Sequence, residues 1–123
     1  MLRTVRRFQF GWFGDGGLGE RLIQAILEGR KTVTSCPAYD PDDADIQVGE
    51  KLELTDKHGR KHAIVVVTRI EIRRFGDFDE ELANKSGTTL QELHQSTFFA
   101  NGRQLRADEE MRVVHFQLSV APK

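Results

Sequence analysis

One stretch limits the architecture more than any other. Residues Lys61–Arg74, KHAIVVVTRIEIRR, make a β-branched run of 14 positions in a chain of 123, where an ordinary strand has about 5–6. Positions 63–67 are apolar throughout, so that half must be buried on both faces. From Thr68 the pattern alternates, which sends Ile70 and Ile72 inward and Arg69, Glu71 and Arg73 outward. A strand this long in a small domain bends around a barrel.

The neighbouring sequence supplies it with partners. Lys51–Thr55 alternates with Leu52 and Leu54 inward, and Asp56-Lys57-His58-Gly59 reads as the hairpin turn joining the two strands. Positions 111–120 form a closing strand with Val114, Phe116, Leu118 and Val120 on one face. His115 lies on the other face and reads as a plain sheet histidine, while His58 and His62 read as surface residues near the turn. Positions 32–36 are β-branched and form a further strand. Positions 2–10 form a strand with Val5, Phe8 and Phe10 partly buried, or else a flexible basic arm carrying Arg3, Arg6 and Arg7.

Helices fill the gaps. In residues 16–35, GGLGERLIQAILEGRKTVTS, Leu18, Leu22, Ala25 and Ile26 recur at i, i+4, i+7 and i+8, with Ile23 and Leu27 widening the stripe. Asp15 or a following glycine caps the start, and Gly29 takes the left-handed position at the end. Arg30, Lys31, Thr32 and Thr34 then arrive together on a turn that the helix holds in place. Positions 79–85 predict a short helix stopped by Ser86-Gly87. Thr89-x-x-Glu92 fits a capping box for another, with Leu90 and Leu93 inward. Phe98 and Phe99 anchor the irregular segment after it, and Trp12 and Phe13 are expected to cap one end of the core. The sum is a single α+β domain over residues 1–123, a small mixed β-barrel with flanking helices.

Several functions are excluded by composition or spacing. Charged residues nearly balance, at a net −1, so the chain does not coat nucleic acid by bulk charge, although a local basic cleft is allowed. Cys36 is the sole cysteine, which rules out an intrachain disulfide and the cysteine-rich zinc patterns. Asp40, Asp42, Asp43 and Asp45 miss the calcium-loop spacing, since Asp45 and Lys51 stand where glycine and glutamate belong. They form a solvated acidic loop that would repel a polyanion. Gly14-x-Gly16-x-x-Gly19 has the dinucleotide spacing, but no well-formed strand precedes it and no βαβ unit follows, so it reads as a glycine-rich start to a helix. No apolar run is long enough for a leader or a membrane span. The expectation is a cytoplasmic protein without cofactor or metal.

Taken together, these motifs resemble the ASCH domain, a branch of the PUA-like superfamily. Gly29-Arg30-Lys31-Thr32-Val33-Thr34 is similar to that family's glycine-x-lysine turn after the first helix. Val48-Gly49-Glu50 resembles the approach to its hairpin, and Val65-Val66-Val67-Thr68-Arg69-Ile70 its long central strand. The stretch from Leu82-Ala83 to Ser86-Gly87 resembles its alanine followed by an acidic-glycine pair, and the segment from Val113 to Leu118 its closing strand. The glycine-rich start and the paired phenylalanines are similar to the longer members.

The resemblance implies a PUA-like pseudo-barrel with a cleft beside the first helix, lined by the lysine turn. It implies RNA or a modified nucleoside as the partner. Arg30, Lys31, Thr32, Thr34, Ser86 and Arg73 would line the cleft, helped by Arg74, Arg103 or Arg106, with Tyr39 available to stack a base. Some small members of the family are amidohydrolases that deacylate the exocyclic nitrogen of acylated cytidine. They use a lysine, a threonine three residues on and a later glutamate. Lys31 and Thr34 match the first two as base and nucleophile. Ser86 stands where the glutamate would be, leaving Asp79, Glu80, Glu81 or Glu92 to supply a carboxylate. Lys31 and Thr34 converge only if Lys31 lies in the turn and the strand starts after it. A third reading is a protein-interaction domain with no small-molecule site.

Overall fold

The computed structural model describes residues 5–38, 45–89, 91 and 105–119. Its elements are β1 (Arg6–Gln9), α1 (Leu18–Leu27), β2 (Val33–Pro37), β3 (Lys51–Thr55), β4 (Lys61–Arg74), a 3-10 turn (Phe75–Asp77), α2 (Glu80–Lys85) and β5 (Glu110–Leu118). The expected second capped helix and the phenylalanine pair fall at 90 and 92–104, outside the described residues, as do Tyr39, the acidic residues up to 43, Glu92 and Arg103.

The strands form one mixed sheet in the order β1-β3-β4-β5-β2, curled into a half-barrel. Only β1 on β3 is parallel; the other pairs are antiparallel. Each face has its own core. The first joins Phe8, Phe10, Leu52, Leu54, Val65, Val67, Val114 and Phe116 of the strands to Ile23 and Ile26 of α1. The second joins Val33, Met111 and Val113 to Phe75 and Phe78, to Leu82 and Ala83 of α2, and to Leu105. Each fully buried Ile, Leu or Val stabilises the fold by about 1.5–3 kcal/mol relative to exposure.

The central strand changes phase at one point. The pairing of β4 with β5 slips between Val67 and Arg69, a bulge that leaves Thr68 unpaired and exposed. Val67 faces the first core opposite Phe116, yet Arg69 pairs with His115 on the second face. Ile70 still packs on the first core. Ile72 does not, at 54% exposed, because the first core ends before it. Glu71 and Arg73, expected outward, are partly covered beside α2.

The start of α1 explains the glycines. Gly17 occupies the cap position, and the Asp15 carboxylate accepts from the N–H groups of Trp12 (3.1 Å), Gly17 (3.0 Å) and Gly19 (3.0 Å). The bonds from Gly19, Gly17 and Trp12 outweigh burial and hold the Asp15 carboxyl at about 2. This amide cradle, which could have held a phosphate, is filled by the chain's own carboxylate. A strand, β1, does precede the glycine motif, within the strand expected over positions 2–10. It pairs with β3 rather than β2, so no dinucleotide-binding unit arises. Trp12 and Phe13 are 46% and 71% exposed and do not cap the core.

Candidate functional site

The lysine turn begins where α1 stops. Gly29 takes φ +80°, and the N–H groups of Arg30 and Lys31 both donate to the Ala25 carbonyl, at 2.9 and 3.1 Å. Because β2 starts at Val33, Lys31 still lies in the turn, which is the condition for it to share a side with Thr34. Thr32 is fastened on both sides: its N–H donates to the Lys85 carbonyl (2.7 Å) and its carbonyl accepts from Phe116 (2.9 Å). The turn therefore sits between α1, β5 and the end of α2.

Lys31 is only 4% exposed. Its Nζ donates to the carbonyls of Val33 (2.7 Å) and Ser86 (3.0 Å) and lies 5.7 Å from the centre of the Phe10 ring. Gly87, at φ +80°, lets the end of α2 lie over the lysine stem; a Cβ there would stand 3.3 Å from that of Lys31. Among the described residues no carboxylate bonds the amine. Desolvation therefore acts unopposed and pushes Lys31 down to about 7.

The other expected site residues scatter around this point. Arg30 is exposed and pairs with Glu28 at 2.6 Å. Ser86 is buried; its hydroxyl donates back to the Leu82 carbonyl at 2.8 Å, and its carbonyl holds Lys31. Thr34 is half-buried opposite Val114, on the first-core face, and no hydrogen bond joins it to Lys31 among the described residues. Of the carboxylates considered, Asp79 caps α2 through the Leu82 N–H at 2.9 Å, Glu80 is exposed, and Glu81 pairs with Lys85 at 3.2 Å.

Arg73 belongs to a different cluster, which sequence reasoning missed. It bonds both oxygens of Glu71 at 3.2 Å and lies 3.7 Å from Asp79. His115 Nε2 is 2.9 Å from Glu71 Oε1, and Arg69 is 3.7 Å from Glu71. Burial raises the Glu71 carboxyl, but the bonds from His115 and Arg73 and the charges of Arg73 and Arg69 outweigh it, leaving the group below its usual range. Arg69, Glu71, Arg73 and His115, with Glu81, Leu82 and Lys85, line an open depression on the second face. Its α2 wall is the helix whose end holds Lys31. The available signal was the outward placing of both Glu71 and His115 by alternation, which the pairing of β4 with β5 brings together.

A half-barrel of five mixed strands with two helices, one ending in a lysine turn, is the architecture of a small α+β pseudo-barrel domain. The ASCH domain family model matches residues 9–120, and the chain belongs to the ASCH domain family. It is similar in structure to protein EF3133 from Enterococcus faecalis V583, with a TM-score of 0.75 at 22% identity over 97% of this chain and 78% of that one. It is also similar to an ASCH domain from Lactobacillus crispatus JV V101, with a TM-score of 0.73 at 22% identity over 91% and 79%. No curated protein matches. No helix among the described residues is long and apolar enough to cross a membrane.

Proposed function

We propose that this ASCH domain binds RNA or a nucleotide on the second face, beside the end of α2. The observation that supports this reading is the gathering of Arg69, Arg73, Lys85 and His115 around one open depression. The arginines and Lys85 contact phosphate there. Lys31 does not: a buried amine with two carbonyl partners has no path to a phosphate. Instead it braces the turn that carries Thr32 and Thr34. Glu71 and Glu81 offset part of the positive charge, so affinity is modest and strongly dependent on salt. Fluorescence anisotropy with a labelled unstructured RNA should show binding at low salt that weakens about tenfold or more when salt is raised about fourfold. Paired Arg69→Ala and Arg73→Ala substitutions should weaken it further. Affinity indifferent to both salt and the arginine changes removes this reading.

One observation favours the second reading, an amidohydrolase acting on an acylated cytidine-type nucleoside. The site offers the Lys31 amine two acceptors, which is the number a neutral amine can satisfy with its two protons. Its lone pair is then left over, and desolvation makes that neutral form accessible near pH 7. Such a group is suited to take a proton from a hydroxyl or from water. Thr34, three residues on, is the nucleophile of this reading. The expected result is release of the acyl group from N4-acetylcytidine, lost in Lys31→Met and in Thr34→Val. An unchanged substrate after prolonged incubation with folded protein ends the hydrolase reading.

A further inference from the structure

The glycine-rich loop before α1 and the turn between β3 and β4 meet at one end of the molecule. Phe13 packs edge-on against His58, with ring centres 5.3 Å apart. The Lys57 amine stands 5.9 Å from the centre of the Phe13 ring and 3.4 Å from Asp15. Trp12 and Phe13 both stand out to solvent here, at 46% and 71% exposed. The backbone beneath Trp12 is pinned by the Asp15 carboxylate, whose side chain is fully buried.

Charge at this end is sorted by depth. The two carboxylates nearest the rings point inward. Asp15 is spent on three backbone N–H groups, and Asp56 on the N–H groups of His58 (2.9 Å) and Arg60 (3.0 Å). The Asp56 side chain, 1% exposed, also holds His62 at 2.9 Å and Arg60 Nε at 3.0 Å. Of the cations on the same segments two stay outside, and Lys57 is partly covered, its side chain 19% exposed. Arg60 is 69% exposed, Arg21 of α1 is exposed beside Gly16, and Lys57 lies over the ring. Glu20 is the exposed acid here, 3.8 Å from Lys57.

An outward pair of aromatic rings on a pinned loop, ringed by cations whose counter-carboxylates are buried, fits an unpaired base and its phosphates. A base has an apolar face for the rings and an anionic backbone for the cations. We propose that Trp12 and Phe13 form a stacking platform for single-stranded RNA, with Lys57, Arg60 and Arg21 along its phosphates. This deepens the nucleic-acid reading above and rests on it, but it concerns a surface separate from the depression beside α2.

Trp12 is the only tryptophan in the chain, so its emission reports directly on this loop. The experiment titrates the full chain with an oligouridylate of about 12 nucleotides, a length within the span that single-strand sites cover. Trp12 emission should be quenched on binding. Phe13→Ala should weaken the interaction about fivefold or more, the loss expected for one stacked ring. Lys57→Ala should weaken it and flatten its salt dependence. Trp12 and Phe13 lie at the surface and Lys57 is partly covered; an unchanged melting temperature confirms that the variants fold. If a labelled oligouridylate binds but leaves Trp12 emission unchanged, and Trp12→Ala binds as the wild type does, the platform is wrong while the RNA reading stands. If the oligouridylate does not bind at all, both fall. A blue-shifted Trp12 emission with phosphatidylglycerol vesicles, without any response to the oligouridylate, overturns the platform in favour of a lipid surface.

Discussion

Folding stability of this chain should rise between pH 7 and pH 10, and replacing Lys31 by methionine should remove most of that rise. Lys31 is pushed down to about 7 in the folded chain by desolvation, against about 10.4 when unfolded. Below pH 7 the amine is charged in both states, and its burial destabilises the fold in full. Between the two values it is neutral in the folded chain and charged in the unfolded one. The unfolded state then binds the extra proton, so stability increases with pH. The ceiling is on the order of 4 kcal/mol, from about 1.4 kcal/mol per pH unit over that window. Denaturant midpoints at pH 7 and pH 10, for wild type and Lys31→Met side by side, measure it. The comparison cancels other lysines, the tyrosine and Cys36. Parallel pH dependences in the two proteins would mean that the amine keeps its ordinary affinity for protons, and the case for Lys31 as a base would go with them.

The largest single loss of stability is expected at Gly19, in the first turn of α1. A Cβ built there would lie 2.4 Å from Gly11 Cα, 2.7 Å from the Phe10 carbonyl oxygen and 2.8 Å from Gly11 N. All three are backbone atoms, so no side-chain rotation relieves the contact. The helix would have to move off the segment that follows β1, opening the first core at Phe8 and Phe10. Gly19→Ala should therefore cost about 3 kcal/mol or more, at the upper end for overpacking. Gly14 makes the control. It has φ +94° but nothing within 4 Å of a built Cβ, so Gly14→Ala should cost only the conformational strain of about 1–2 kcal/mol. Equal losses at the two positions in chemical denaturation would show that the close approach does not limit the fold.

The contrast between these glycines shows which parts of the architecture were legible in the sequence. Local patterns were. The alternation that turns Leu52 and Leu54 inward, the stripe of α1, the stop at Gly29, the turn at Asp56 and the short helix stopped by Ser86-Gly87 each depend on neighbours within a few residues. What could not be read is set by distant partners. The glycine spacing was read as the start of a helix with Asp15 available to cap it, but sequence cannot show that the carboxylate folds back to take three N–H groups at once. Trp12 and Phe13 looked like core residues because hydrophobicity alone does not say whether space remains inside. The site was legible to the same extent. The lysine turn was placed on the correct helix end, and Thr34 on a strand starting after it. That the amine is closed off between two carbonyls depends on α2 arriving from 55 residues further along the chain. The His115–Glu71 pair was missed because the alternation put both residues on the outward face but could not give the register that sets β5 beside β4.

That slip at Thr68 has a broader consequence. It works as a phase switch in the middle of the longest strand. On one side of it, every second residue belongs to the oily half of the molecule. On the other, the same parity delivers guanidinium and carboxylate groups to a wet surface. Substitutions at 69, 71 and 73 can thus rewrite the chemistry of that surface while Val65 and Val67 keep their places. With Val65 and Val67 held in place, loss of the extra residue would turn 69, 71 and 73 toward the oily half and Ile70 and Ile72 away from it, because parity admits no intermediate.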